Sequence, residues 1–210
     1  MVLFPNQKSS GPTSLLTAVG KEGVVYLIDG SNMGEYNSAD NSQIAQSFTG
    51  PPYGLWGVPA LWNNNLYVGG QSDAIRQFTF NPTTELFNTS VTSQTLSSFG
   101  YPGAIPSVSS RSASPGIVWA IDSSQYGYAN SSVAGVDCSV VPLPAACSGP
   151  AILHAYNAAN LAQEYWNSTH AASNRDQAGN AVKSVPLTIA NGKVYVGTRT
   201  EVDVFGLLGN

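Results

Sequence analysis

Two histidines are available for acid–base chemistry, and they sit in different settings. His170 lies in the polar segment NSTHAASNRDQ, close before Asp176 and among several serines. Serine, histidine and aspartate are the residue types of hydrolytic acyl transfer, so His170 and Asp176 are the candidate catalytic pair. His154 lies in ILHAYN, where alternation with Ile152 and Tyr156 places it on a strand face, the setting of a structural histidine. Asp73, Asp122, Asp137, Asp176 and Glu201 are the carboxylates from which a glycosidase pair could be drawn, but no spacing selects two of them. The chain has no G-x-S-x-G elbow, H-E-x-x-H, C-x-x-C or phosphate-binding loop. Nothing in it reads as a metal site.

Cys138 and Cys147 bracket the Pro-containing stretch CSVVPLPAAC. With no histidine nearby to complete a metal site, the expected role is a disulfide stapling a surface loop; two free thiols are the alternative. The N-x-S/T triplets at Asn88, Asn130 and Asn167 are expected by chance in a chain so rich in Asn, Ser and Thr.

Any such residue must be held by a scaffold, and the scaffold is written as a repeat. The stretch WNNNLYVGGQSDAIRQFTF near the middle is echoed by ANGKVYVGTRTEVDVFGL near the end. Four units can be aligned. Each opens with a short, often Pro-containing strand (VLFPNQ, GVPALWNN, GAIPSVSS, SVPLTIAN). A second strand follows (SLLTAVG, NLYVGG, GIVWAID, KVYVGT), then a third (GVVYLID, AIRQFTF, AILHAYN, EVDVFGL). Three units continue into a fourth strand (QIAQSFT, ELFNTS, AQEYWNS), whereas the last unit stops at three. Aligned positions Gly20, Gly69, Ile121 and Gly197 are 49, 52 and 76 residues apart. The last interval returns to 49 once the 27-residue insertion 123–149 is set aside. A period near 50 with four short strands per unit is the signature of a β-propeller.

The expectation is therefore an all-β chain: a single β-propeller domain over 1–210, with blades at about 1–50, 56–92, 103–168 and 183–208. The last blade is incomplete, and Glu201–Leu207 is expected to form an exposed edge blunted by Glu201 and Asp203, or to pair with another chain. The alternative is half of an eight-bladed propeller completed by a second chain.

The unit P-x-h-x-x-G-x-h-Y-x-G…h-x-h-h, where h is apolar, resembles the repeats of pyrroloquinoline-quinone-type propellers, the quinoprotein-like family. The best matches are AVGKEGVVYLID, GVPALWNNNLYVGG and TIANGKVYVGTRTEVDVFGL. The resemblance is to the C-terminal half of a larger propeller. It implies a rigid ring of blades and, in some members, a bound quinone. The family's blade-docking pattern is degenerate here: AYNAANLAQEYW keeps Ala155 and Trp166 but has Asn157 in place of aspartate. Cys138 and Cys147 are not the adjacent pair that flanks the quinone, and no calcium-ligand set matches. Neither the quinone nor dehydrogenase activity is carried over.

In such a fold the loops joining strands two and three share a face with the connections between units. Nearly every long or aromatic loop falls there, which makes it the expected ligand face. Tyr53, Trp56, Tyr101, Arg175, Asp176 and Asn180 would ring its mouth and take a small polar ligand, a glycan or a peptide.

Composition narrows the classes further. Only 10% of the 210 residues are charged, the formal net charge is −4 and no basic cluster exists, so nucleic acid is not an expected partner. The longest apolar runs are too short to span a bilayer. The N-terminus lacks the pattern of a signal peptide, while the cysteine pair favours a periplasmic or secreted setting. The expected function is a non-enzymatic extracytoplasmic binding or scaffold module that could self-associate through its incomplete blade. The alternative is a secreted enzyme, either a quinoprotein-like oxidoreductase or a hydrolase.

Overall fold

A computed structural model describes residues 1–4, 14–42, 44–112, 114–127 and 144–206. The chain is all-β, with four antiparallel sheets laid down in sequence order. The first contains β1 (Val2–Leu3), β2 (Leu15–Val19), β3 (Val24–Asp29) and β4 (Gln46–Thr49), each paired with the next. The second contains β5 (Ala60–Trp62), β6 (Asn65–Gly69), β7 (Asp73–Asn81), β8 (Leu86–Phe87) and β9 (Ser93–Phe99). The third runs through β10 (Ser107–Ser110), β11 (Gly116–Asp122), β12 (Ile152–Asn157) and β13 (Asn160–Asn167). The fourth has three strands, β14 (Thr188–Ala190), β15 (Lys193–Gly197) and β16 (Val202–Phe205).

The strands alternate with period two, but both faces are apolar, as happens when a sheet is covered on both sides. In β6, Leu66 and Val68 face the first sheet while Tyr67 faces the third. In β11, Val118 and Ala120 face the second sheet while Ile121 faces the fourth. The result is three apolar clusters, one between each successive pair of sheets. Among the described residues no fourth cluster joins the last sheet to the first. Phe4, Phe78, Phe80 and Phe87 dominate the first cluster, with Phe4 and Phe80 centred 4.5 Å apart. The second is tied by the Tyr67 hydroxyl, which donates to the Ala158 carbonyl at 2.8 Å.

Short turns close one end of the sheets. Asn63–Asn64 and Asn191–Gly192 each form a two-residue connection with positive φ at both positions, which is what a tight hairpin demands.

Two expectations need correction. ELFNTS supplies only the two-residue β8, paired with the far end of β7; the longer partner of β7 is β9, in SQTLSSF. Asp203 does not blunt the outer edge, because its carboxylate turns inward and accepts the Gly179 N–H at 3.0 Å. Val202 and Val204 are the residues that face out, 64% and 52% exposed.

Cys138 lies outside the described residues, so the expected pairing with Cys147 is not described; Cys147 itself is fully buried. No helix among the described residues is long and apolar enough to cross a membrane.

Candidate functional site

At the end of the sheets opposite the tight turns, each β2–β3-type loop is sewn to the connection between neighbouring sheets. The Leu55 N–H donates to Gly20 O at 3.1 Å, and Gln71 N–H to Gly54 O at 3.0 Å. Gly149 N–H donates to Gln125 O, Ala181 N–H to Gly149 O, and Arg199 N–H to Asn180 O. Two glycines permit the close approach. Gly54 (φ +81°) lies against the Lys21 backbone, and a Cβ at Gly103 (φ +91°) would meet Gly70 O at 2.5 Å.

These loops carry a row of aromatic and cationic side chains. The Lys21 ammonium lies 4.2 Å from the Trp56 ring centre. The Trp56 indole N–H donates to Gln71 Oε1 at 2.9 Å, fixing the ring's orientation. The Tyr101 ring meets Trp56 edge-on at 5.3 Å, and Tyr126 follows at 6.1 Å from Tyr101. The Lys183 ammonium ends the row, 5.4 Å from the Tyr126 ring. Trp56 is 39% exposed and neighbouring Tyr53 is 65% exposed, so the row is open to solvent. Ring faces held this way present flat apolar surface with polar tips, flanked by positive charge.

Of the six residues expected at a ligand face, Trp56 and Tyr101 touch each other, with Tyr53 on the same loop as Trp56. Asn180 serves the loop framework through its backbone, pairing with Pro150 and Arg199. Arg175 and Asp176 form a two-pronged ion pair, Nε–Oδ1 2.7 Å and Nη2–Oδ2 2.9 Å. They line a groove of about 720 Å³ between the third and fourth sheets. The Arg175 hydrogen bonds hold the Asp176 carboxyl below its ordinary range. Lys21, Gln71, Tyr126 and Lys183 complete the row but carry no spacing signal, because four separate loops bring them together.

His170 Nε2 lies 3.1 Å from the Asn167 amide nitrogen, whereas the Asp176 carboxylate is taken up by Arg175. His154 is buried between sheets, its Nδ1 2.6 Å from Glu164 Oε1 and its ring edge-on to Phe99. Asp73 is held by Arg76, and Asp122 accepts the Ser124 N–H. Glu201 approaches Gly179, and Asp137 lies outside the described residues. Asn167 is only 8% exposed and its side chain serves a turn, so its triplet is not an open surface; Asn130 is outside the described residues. Among the described residues no three His, Cys, Asp or Glu side chains are grouped to hold a metal ion. No protein-family model matches this chain, and no curated protein matches it.

Proposed function

We propose that this chain is a non-enzymatic, extracytoplasmic binding module of the quinoprotein-like propeller type, and that its loop-rich face takes a glycan. The observation that carries the reading is the row Lys21–Trp56–Tyr101–Tyr126–Lys183, five side chains from different loops, each against the next at the surface. Sugar rings offer flat apolar faces rimmed by hydroxyls, which suit exposed aromatic rings flanked by hydrogen-bonding groups. Lys21 and Lys183 make no ion pair with a described carboxylate, which biases the face toward acidic sugars.

The test is a glycan array probed with labelled protein, followed by titration of the best binder. Trp56→Ala is expected to weaken binding at least about tenfold, because an aromatic anchor in the centre of a contact carries much of its energy. Failure of the wild-type protein to bind any glycan, or undiminished binding by Trp56→Ala, refutes the reading.

Support for the propeller comes from four sheets in chain order with an apolar cluster between each successive pair. The same pattern without a described fourth cluster favours an open half-ring that a second copy would complete. Light scattering separates a monomer of 21.9 kDa from a dimer of twice that mass.

A further inference from the structure

The first three sheets each end in a strand beyond their third, and the fourth, among the described residues, ends at β16. The difference shows in the clusters. From β13, Leu161 is fully buried in the cluster between the second and third sheets. No described residue beyond β16 fills the corresponding place between the third and fourth. The groove of about 720 Å³ lies there, lined by Trp119, Tyr165, Trp166, Ile189, Lys193 and Phe205 among others.

Its shape is partly the work of a bulge. Ala155 pairs with Trp166 and Tyr156 with Glu164, which leaves Tyr165 unopposed. A bulge re-aims the extra side chain, and Tyr165 joins Trp166 in the groove wall. The Trp119 indole N–H is committed to Ser109 Oγ at 2.8 Å, and Arg175 neutralises Asp176. Lys193, whose stem lies beside Gly206, makes no ion pair with a described carboxylate and is, among the described residues, the uncompensated charge of the groove. The opposite wall is β16 itself. It pairs with β15 on one side, and on the other its backbone has no strand partner among the described residues. An unpaired strand edge beside an apolar groove is the arrangement that receives an added strand.

We propose that this groove is a strand-acceptor site. Its occupant is an extended peptide that hydrogen-bonds along β16, lays one large apolar side chain against Trp166 and Phe205, and sets a carboxylate at Lys193. A strand edge with no partner among the described residues selects a peptide over a small apolar molecule, and an ammonium with no described carboxylate beside it selects an acidic one. The inference rests on the third and fourth sheets and is independent of the glycan reading.

The probe is a labelled synthetic peptide spanning residues 158–168, which carries the chain's own β13 with Leu161 and Glu164. Fluorescence anisotropy is expected to show saturable binding to the full chain. N-methylation of alternate peptide nitrogens, which removes backbone donors and keeps the side chains, is expected to weaken binding at least about tenfold. Lys193→Glu, an exposed change, is expected to weaken it about tenfold as well, and a Glu164→Lys peptide to restore it. The proposal is overturned by the absence of saturable binding, by equal binding of the N-methylated peptide, or by indifference to Lys193→Glu.

Discussion

Tyr67→Phe is the sharpest single test of how the second and third sheets are held together. Tyr67 is wholly buried in the cluster between them, and its hydroxyl donates to Ala158 O at 2.8 Å across 91 positions of sequence. Burial pushes its phenol well above the ordinary range, so it stays a neutral donor across physiological pH. Phenylalanine keeps the ring and its packing but removes that donor. Ala158 is itself fully buried, so its carbonyl loses a partner that water cannot replace. A lost bond together with an orphaned buried acceptor costs about 2 kcal/mol. In a domain of this size that lowers Tm by about 4–8 °C. Urea unfolding followed by tryptophan fluorescence, with calorimetry alongside, gives both quantities. The denaturant slope should stay constant, because the surface exposed on unfolding does not change. Tyr36, 91% exposed, is the control, and Tyr36→Phe should stay within about 0.5 kcal/mol of wild type. If Tyr67→Phe falls in that same small range, the sheets are not joined as described and the reasoning fails.

Thr17→Val addresses the opposite case. The Thr17 hydroxyl is buried in the first sheet with no hydrogen-bond partner among the described residues, and valine has nearly its shape, so the variant should gain up to about 1 kcal/mol; a loss in urea unfolding would count against the placement. Asp176 should titrate, by carboxyl NMR, below an ordinary aspartate, and Arg175→Ala should return it upward. A carboxyl with a depressed folded pKa stabilises above its unfolded pKa and loses that contribution as pH falls, so the pair's effect should vanish in acid and be absent in Arg175→Ala. Peptide mapping of the unreduced protein should recover Cys138 and Cys147 in one linked fragment; two alkylatable thiols would remove the proposed staple.

How much of this was legible varies with the physics behind each residue. Strands covered on both faces read clearly, because runs such as NLYVGG and GIVWAID are dense in β-branched and aromatic residues and are bounded by Gly and Asn turns. β9 did not, because SQTLSSF hides its logic: Leu96 is 85% exposed, while the strand is anchored by the small polar Thr95 and by Phe99 at its end. Thr95 uses its hydroxyl to receive the Ile75 N–H, a role that hydrophobic alternation does not reveal. At the loop face, Trp56 and Tyr101 stood out as exposed-type aromatics in turn-rich segments. Their companions did not, since Lys21, Gln71, Tyr126 and Lys183 are each ordinary where they stand and meet only through tertiary placement. Arg175 and Asp176 were singled out as ligand groups, yet adjacency in sequence let them satisfy one another first.

The three inter-sheet clusters also bear on how the chain reaches its folded state. Each cluster joins sheets that follow one another in sequence, so each needs only the next unit of the chain and not the whole of it. The first sheet and its neighbour can dock while later residues are still being made, and each new unit finds a preformed apolar surface waiting. Contacts between successive units are the kind that permit directional growth, as in linear repeat proteins. Among the described residues, the sheet of β14–β16 shares an apolar cluster only with the third, so, like the first sheet, it is held from one side alone.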